Sequence, residues 1–361
     1  MQQWFELWQL GLAGAWAGYA RWWQAMSLYD TGRRQVGQTP ARQVWHKDRV
    51  RLIRYLPGRP EPRAVPVLCV PSLINRYYVL DLQPGRSLVS YLLSRGLDVY
   101  LLDWGTPTIQ DRHLTLDDHL AGYLHQAVQA TCADSGAEKL SLLGYCMGGM
   151  FAAVYTALFG EWVANLVNLA GPINYHDEGI FSLLTRAEWF DPDKLVDSYG
   201  NIPADLLGWA FQMLRPTSHL ARALQFYERM DDQDYVHRFA AMQTWIFDQV
   251  DFPGETFRRY IRDFYQANLL VSGRMTIGGR PVSLSSVTCP LLTIASRQDE
   301  TAPCDSVTVL NDLVSSTDKE ILMLKGPHVG MVAGRTASGQ LWPHLADWLI
   351  PRSGAEAGIM G

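Results

Sequence analysis

The stretch "KLSLLGYCMGGMFAAVYTALFG" (139–160) constrains this chain more than any other. An apolar, β-rich run ends in Gly144-Tyr145-Cys146-Met147-Gly148-Gly149, and a run with helical spacing begins at once. Strand, Gly-x-Cys-x-Gly and helix in that order form the sequence signature of a nucleophile elbow. Gly144 and Gly148 make room for the tight turn, and Gly149 lets the helix pack close to the sheet. The turn holds Cys146 at a helix N-terminus, whose dipole favours thiolate. The N–H of Met147 then points where an oxyanion would develop. A lone Gly-x-Cys-x-Gly is also met around buried structural thiols. Here the flanking elements favour the nucleophile.

Short apolar runs elsewhere supply the rest of a sheet. They are 65–70, 98–104, 139–145, 166–170, 290–296 and 320–324, with helical patterns at 85–96 and 116–136 between them. One or two further strands are expected before Pro57. Continuous apolar strands alternating with amphipathic helices predict an α/β fold with a mostly parallel central sheet and helices on both faces. Between about Ile173 and Val282 the alternation gives way to helical, aromatic sequence. We read that segment as a mainly helical cap inserted over the C-terminal edge of the strands, where α/β sites form. The expected organisation is a Trp-rich amphipathic helix at 1–31, a core of 40–172 and 283–352, a cap at 173–282, and a flexible tail at 353–361.

On such an architecture the nucleophile is followed along the chain by an acid and then a histidine. "PLLTIASRQDETAP" offers Asp299 after a late strand, with Glu300 and Asp305 as neighbouring competitors. "EILMLKGPHVG" offers His328 after the final strand; the other eight of the nine histidines lack that setting. A second oxyanion donor is expected from the loop after an early strand, "VPSLINRYYVLDLQPGRS" (70–87), at Leu73 beside Met147. That loop is unusually apolar, so Ile74, Tyr77 and Tyr78 are expected to line the substrate site.

A cysteine nucleophile suits a particular chemistry. Transfer from a thioester donor to Cys146 yields another thioester, so the acyl group stays activated for downhill attack by an alcohol. A serine intermediate would already be an oxyester. The cysteine therefore points to acyl transfer, without excluding hydrolysis.

Composition narrows the partners. A net charge of −5 gives no support for nucleic-acid binding. Five scattered cysteines without CxxC spacing suggest free thiols in a reducing cytoplasm and no metal site. The start of the chain holds five of the thirteen Trp within 23 residues. It lacks a basic flank, and Glu6 and Arg21 interrupt it, so neither a signal peptide nor a transmembrane segment fits. Such a helix either docks on its own domain or is offered to a partner or an apolar surface. Arg258, Arg259 and Arg262 read as a solvated helix face, or as contacts for a phosphate.

Together, "VPSLINRYYVLDLQPGRSLVSYLLSRGLDVYLLDWG", "LLGYCMGG", "FYQANLLVSGRMTIGGRPVSL" and "DETAP…GPHVG" resemble the polyhydroxyalkanoate synthases, from about residue 40 to 350. The short length is similar to the class III type, whose catalytic subunit works with a PhaE-like second subunit; a class IV-type partner fits less well. The resemblance implies an α/β-hydrolase fold and an acyltransferase that polymerises (R)-3-hydroxyacyl-CoA, chiefly 3-hydroxybutyryl-CoA, through a covalent cysteine thioester. It implies release of coenzyme A, which enters as substrate, with no cofactor. It implies a cytoplasmic location at the surface of polyester granules, in a homodimer or hetero-oligomer. The family's nucleophile falls on Cys146, its histidine on His328, and its aspartate, linked with activating the incoming 3-hydroxyl, on Asp299. Pro327 departs from the pattern, which commonly has glycine there, and "DETAP" replaces a more usual Asp-His. The competing readings are a cysteine hydrolase or thioesterase of the dienelactone-hydrolase kind, and a non-catalytic granule-associated protein.

Overall fold

In the computed structural model the described residues are 19, 21–56, 65–214, 218–334 and 336–354. Eight strands form the central sheet: β1 Ala41–Lys47, β2 Val50–Tyr55, β3 Val67–Val70, β4 Val99–Asp103, β5 Leu140–Tyr145, β6 Val163–Leu169, β7 Leu291–Ser296 and β8 Lys319–Leu324. Their spatial order is β1-β2-β4-β3-β5-β6-β7-β8. The first two strands form a hairpin and pair antiparallel, as β2 does with β4; every later pairing is parallel.

Strands β3, β5 and β7 are buried along their whole length, so their sequences are nearly continuous in apolar residues. Period two still sorts their side chains. Leu68, Val70, Leu140 and Leu142 join a core on one face with Phe151 and Val154 of helix Met147–Leu158. Cys69, Leu143 and Tyr145 join a core on the other face with Leu92 of helix Leu88–Ser94 and Leu345 of helix Leu341–Arg352. Each fully buried Leu or Phe contributes about 1.5–3 kcal/mol. A sheet covered on both sides follows.

The parallel register also aligns strand ends. Val70 pairs with Gly144, Tyr145 with Leu169, Leu169 with Ile294, and Ser296 with Leu324. The segments after β3, β5, β7 and β8 therefore emerge along one edge of the sheet.

Between β6 and β7 lie helices Ile180–Leu184, Pro192–Tyr199, Ala204–Met213, Ser218–Arg229, Gln233–Phe247 and Gly254–Tyr260. The last part of this 173–282 segment does not stand apart from the core. Phe252, Tyr260, Phe264, Met275, Ile277 and Val282 share one buried cluster with Leu142 and Phe151, because these large apolar side chains complete that face of the sheet. Arg258 ion-pairs with Asp193, Asp197 and Glu255; Arg259 pairs with Asp117 and Asp263, and Arg262 with Asp193. The three arginines tie helices together instead of forming a bare cationic face.

At the N-terminal end the described residues follow the docking alternative, and at the C-terminal end the tail begins later than expected. Residues 21–33 are helical and dock on the chain itself: Ala25 is fully buried with Phe226, Met230 and Val236, and Arg21 pairs with Asp231. A Cβ on Gly32 would lie 2.9 Å from that of Ala240. Only Tyr19, Trp22 and Trp23 among the described aromatics there stay exposed, and Trp4, Trp8 and Trp16 lie outside the described residues. At the other end, Ser353 is not part of a loose tail. It is fully buried, its Oγ donates to Leu349 O at 2.9 Å, and its carbonyl accepts from Val65 N. Residues 355–361 lie outside the described residues. No described helix is long and apolar enough to cross a membrane.

Candidate active site

The elbow forms as the sequence predicts. Cys146 has φ 57° and ψ −128°, a left-sided backbone that a non-glycine residue adopts only when its surroundings impose it. Its N–H donates to Leu169 O at 3.0 Å, and its carbonyl accepts from Gly149 N at 2.8 Å. The glycines are needed for close approach: a Cβ on Gly148 would collide with the carbonyl oxygen of Val70, and one on Gly149 with the Asn168 side chain. Met147 is the first residue of the following helix, so its N–H has no partner within that helix.

The same sheet edge delivers the other two residues. Asp299 lies three positions beyond the end of β7 and His328 four beyond the end of β8. Both are buried. His328 Nδ1 donates to Asp299 Oδ2 at 2.7 Å, and Asp299 Oδ1 accepts the N–H groups of Thr301 and Ala302, each at 2.9 Å. Neither competitor takes this place: Glu300 lines the cavity, and Asp305 accepts from the Cys304 thiol. Gly326, with φ +113°, turns the chain before the histidine. Its carbonyl accepts from Ser296 Oγ, and its N–H donates to Gln298 Oε1, both at 2.7 Å. Pro327 lies in the turn before the short helix Gly330–Ala333, and its carbonyl accepts from Met331 N at 3.0 Å.

The second ring nitrogen of His328, Nε2, is buried on the side of Cys146. Burial disfavours the imidazolium, but the charges of Cys146 and Asp299 outweigh it and push the His328 pKa up to about 10. The Asp299 carboxylate fixes the tautomer and plane of the ring, leaving Nε2 for proton transfer. Tyr145 is a residue that the sequence reading passed over. Its ring stacks on that of His328, with centroids 5.2 Å apart and planes 24° apart. Burial, together with the charges of Cys146 and Asp299, pushes its phenol well above the ordinary range.

Cys146 and His328 open into a cavity of about 520 Å³. Its walls come from Asn75, from Trp209 and Phe211 of helix Ala204–Met213, and from Trp245 and Phe247 of helix Gln233–Phe247. Ile74, Tyr77 and Tyr78 are not among its lining residues. Ile74 and Tyr78 are drawn into the two cores and Tyr77 packs against one, because the loop is clamped from outside. Trp245 Nε1 donates to Arg76 O, and the Tyr78 hydroxyl donates to Asp248, both at 2.8 Å. Leu73 is buried in the same loop with its side chain in the core. The wall helices gave no local signal, since their contact with Cys146 depends on tertiary placement alone. Among the described residues no group of three or more His, Cys, Asp or Glu is placed to hold a metal ion.

Comparison with known proteins agrees with this geometry. The family described as "alpha/beta hydrolase fold" matches residues 65–333, and "Poly-beta-hydroxybutyrate polymerase (PhaC) N-terminus" matches 23–92. The chain is 40% identical to the poly(3-hydroxyalkanoate) polymerase subunit PhaC of Synechocystis sp., over 88% of this chain and 86% of that protein. It is also 40% identical to the subunit of the same name from Allochromatium vinosum, over 88% of this chain and 90% of that one. Against the longer Haloferax mediterranei subunit, at 36% identity, it spans 65% of the relative's length. A putative lipase from Sulfolobus solfataricus superposes with a TM-score of 0.53 at 15% identity, covering 87% of this chain and 97% of that one, which speaks to the fold alone. With its elbow, its sheet and its sequence all pointing the same way, the chain belongs to the PhaC family of poly(3-hydroxyalkanoate) polymerases, on an α/β-hydrolase fold.

Proposed function

We propose that this chain is an acyltransferase that polymerises (R)-3-hydroxyacyl units, 3-hydroxybutyryl above all, from their CoA thioesters into polyhydroxyalkanoate. The observation that carries this is a cysteine on the elbow, beside a buried histidine–aspartate pair, in a chain 40% identical to PhaC subunits. His328 Nε2 takes the thiol proton, and the Cys146 thiolate attacks the thioester carbonyl. The tetrahedral oxyanion is met by the Met147 N–H and a second donor at Leu73. Collapse breaks the C–S bond to coenzyme A, which leaves with the proton returned by His328. The 3-hydroxyl of a second unit, losing its proton to His328, then attacks the Cys146 thioester. An ester forms, His328 returns the proton to the Cys146 sulfur, and the lengthened chain, now the CoA thioester of the second unit, acylates Cys146 again with loss of its coenzyme A. No cofactor takes part, since coenzyme A arrives on the substrate.

A second synthase subunit of PhaE type, or less readily a class IV-type subunit, belongs to this reading, as does a cytoplasmic place at the polyester granule surface. Tyr19, Trp22 and Trp23 are the described exposed aromatics at the N-terminus that such a partner would cover. Incubation with 3-hydroxybutyryl-CoA tests the reading: CoA with insoluble polyester supports it, whereas CoA with free hydroxy acid alone would make the chain a hydrolase.

A further inference from the structure

The cavity above Cys146 is chemically uneven. Trp209, Phe211, Met242, Trp245, Ile246 and Phe247 make most of its wall apolar. Among its described lining residues, Arg222 is the one Lys or Arg side chain. It comes from helix Ser218–Arg229, a different element from those carrying Cys146 and His328. The residue is half-buried, and burial holds its guanidinium below the ordinary arginine range. The two carboxylates of the wall, Asp205 and Glu300, belong to exposed residues.

An acyl-CoA carries a small acyl thioester at one end and phosphates at the other. With the thioester carbonyl at Cys146, the acyl group meets the apolar wall, and the anionic carrier has to pass along the cavity. A planar guanidinium matches phosphate oxygens in pairs, and partial removal from water strengthens that attraction. We propose that Arg222 binds a phosphate of the CoA moiety, so that it selects the carrier of the acyl group and not the acyl group itself. This rests on the reading of acyl-CoA as donor. The competing role is structural, an ion pair within the wall that holds helix Ser218–Arg229 in place.

Two donors separate these roles: 3-hydroxybutyryl-CoA, and the 3-hydroxybutyryl thioester of N-acetylcysteamine, which has the same acyl group and no phosphate. Initial rates of thiol release are measured for the full chain, Arg222→Met and Arg222→Lys. Arg222→Met should raise KM for the CoA substrate about tenfold or more, with kcat changed by less than about twofold. KM for the short thioester should stay the same, and Arg222→Lys should recover part of the loss. An equal rise in KM for both donors, or no rise for either, would overturn the assignment. Should Arg222→Met melt far below the parent, Arg222→Lys decides alone, with a rise for the CoA donor only as the supporting result. Release of CoA by the parent chain without polymer would remove the polymerase reading, yet leave this two-donor comparison intact.

Discussion

His328 Nδ1 lies 2.7 Å from Asp299 Oδ2, and the other oxygen of that carboxylate is already taken by the N–H groups of Thr301 and Ala302. Asp299 is buried and is not among the residues lining the cavity. A carboxylate so engaged reaches the reaction through the histidine. Asp299→Asn should therefore slow acylation and elongation together, each by about 10²–10⁴-fold. Single-turnover CoA release and polymer growth measure the two steps separately. Normal acylation with failed elongation would instead show the carboxylate acting on the incoming hydroxyl, the role that family resemblance suggested.

The raised pKa of His328 carries a sign that melting experiments can read. Burial alone would lower it, and the charges of Cys146 and Asp299 raise it from an ordinary 6.5 to about 10. Because the folded value exceeds the unfolded one, the imidazolium contributes stability that is fully present below about pH 6.5 and lost as pH rises through about 10. The Tm difference between the parent and His328→Gln should shrink across that window. A difference that grows toward alkaline pH would contradict a His328 held protonated by the fold.

Gly148 lies against the carbonyl of Val70, where a Cβ has no room. Gly148→Ala should destabilise the fold by about 1–3 kcal/mol or more, as overpacking does. Denaturant midpoints check this. An unchanged midpoint would mean that the elbow has room for a Cβ beside the Val70 carbonyl.

The N-terminal helix offers a parallel test. Gly32→Val would push into Ala240 and the backbone of His237, and should cost about 1–3 kcal/mol in the isolated chain. Were residues 21–33 held for a partner, the isolated chain would melt unchanged.

Local pattern carried the reading where function depends on chain order. Six strand runs, the cysteine elbow, and the acid and histidine after late strands are each written within about ten neighbouring residues. What escaped depends on residues distant in sequence. Trp245 reaches the loop at Arg76 across 169 positions, pulling Ile74 and Tyr78 into the cores and leaving Asn75 on the cavity wall. Tyr145 stood within the quoted turn, but its stack on His328 is set by the end of β8, 183 positions later in numbering at the ring it meets (328 against 145). The apolar stripe of residues 21–33 could equally have faced a partner, and only the presence of Phe226 and Val236 beside Ala25 decides.

On the proposed mechanism Cys146 carries the growing chain. Radiolabelled 3-hydroxybutyryl-CoA, acid quenching, digestion and mass spectrometry test it most directly. Hydroxyacyl units in thioester linkage should appear on the peptide containing Cys146. They should vanish in Cys146→Ala, while Cys69→Ala, Cys132→Ala and Cys289→Ala keep most of the activity. Label on Cys304, or undiminished CoA release by Cys146→Ala, would contradict the account.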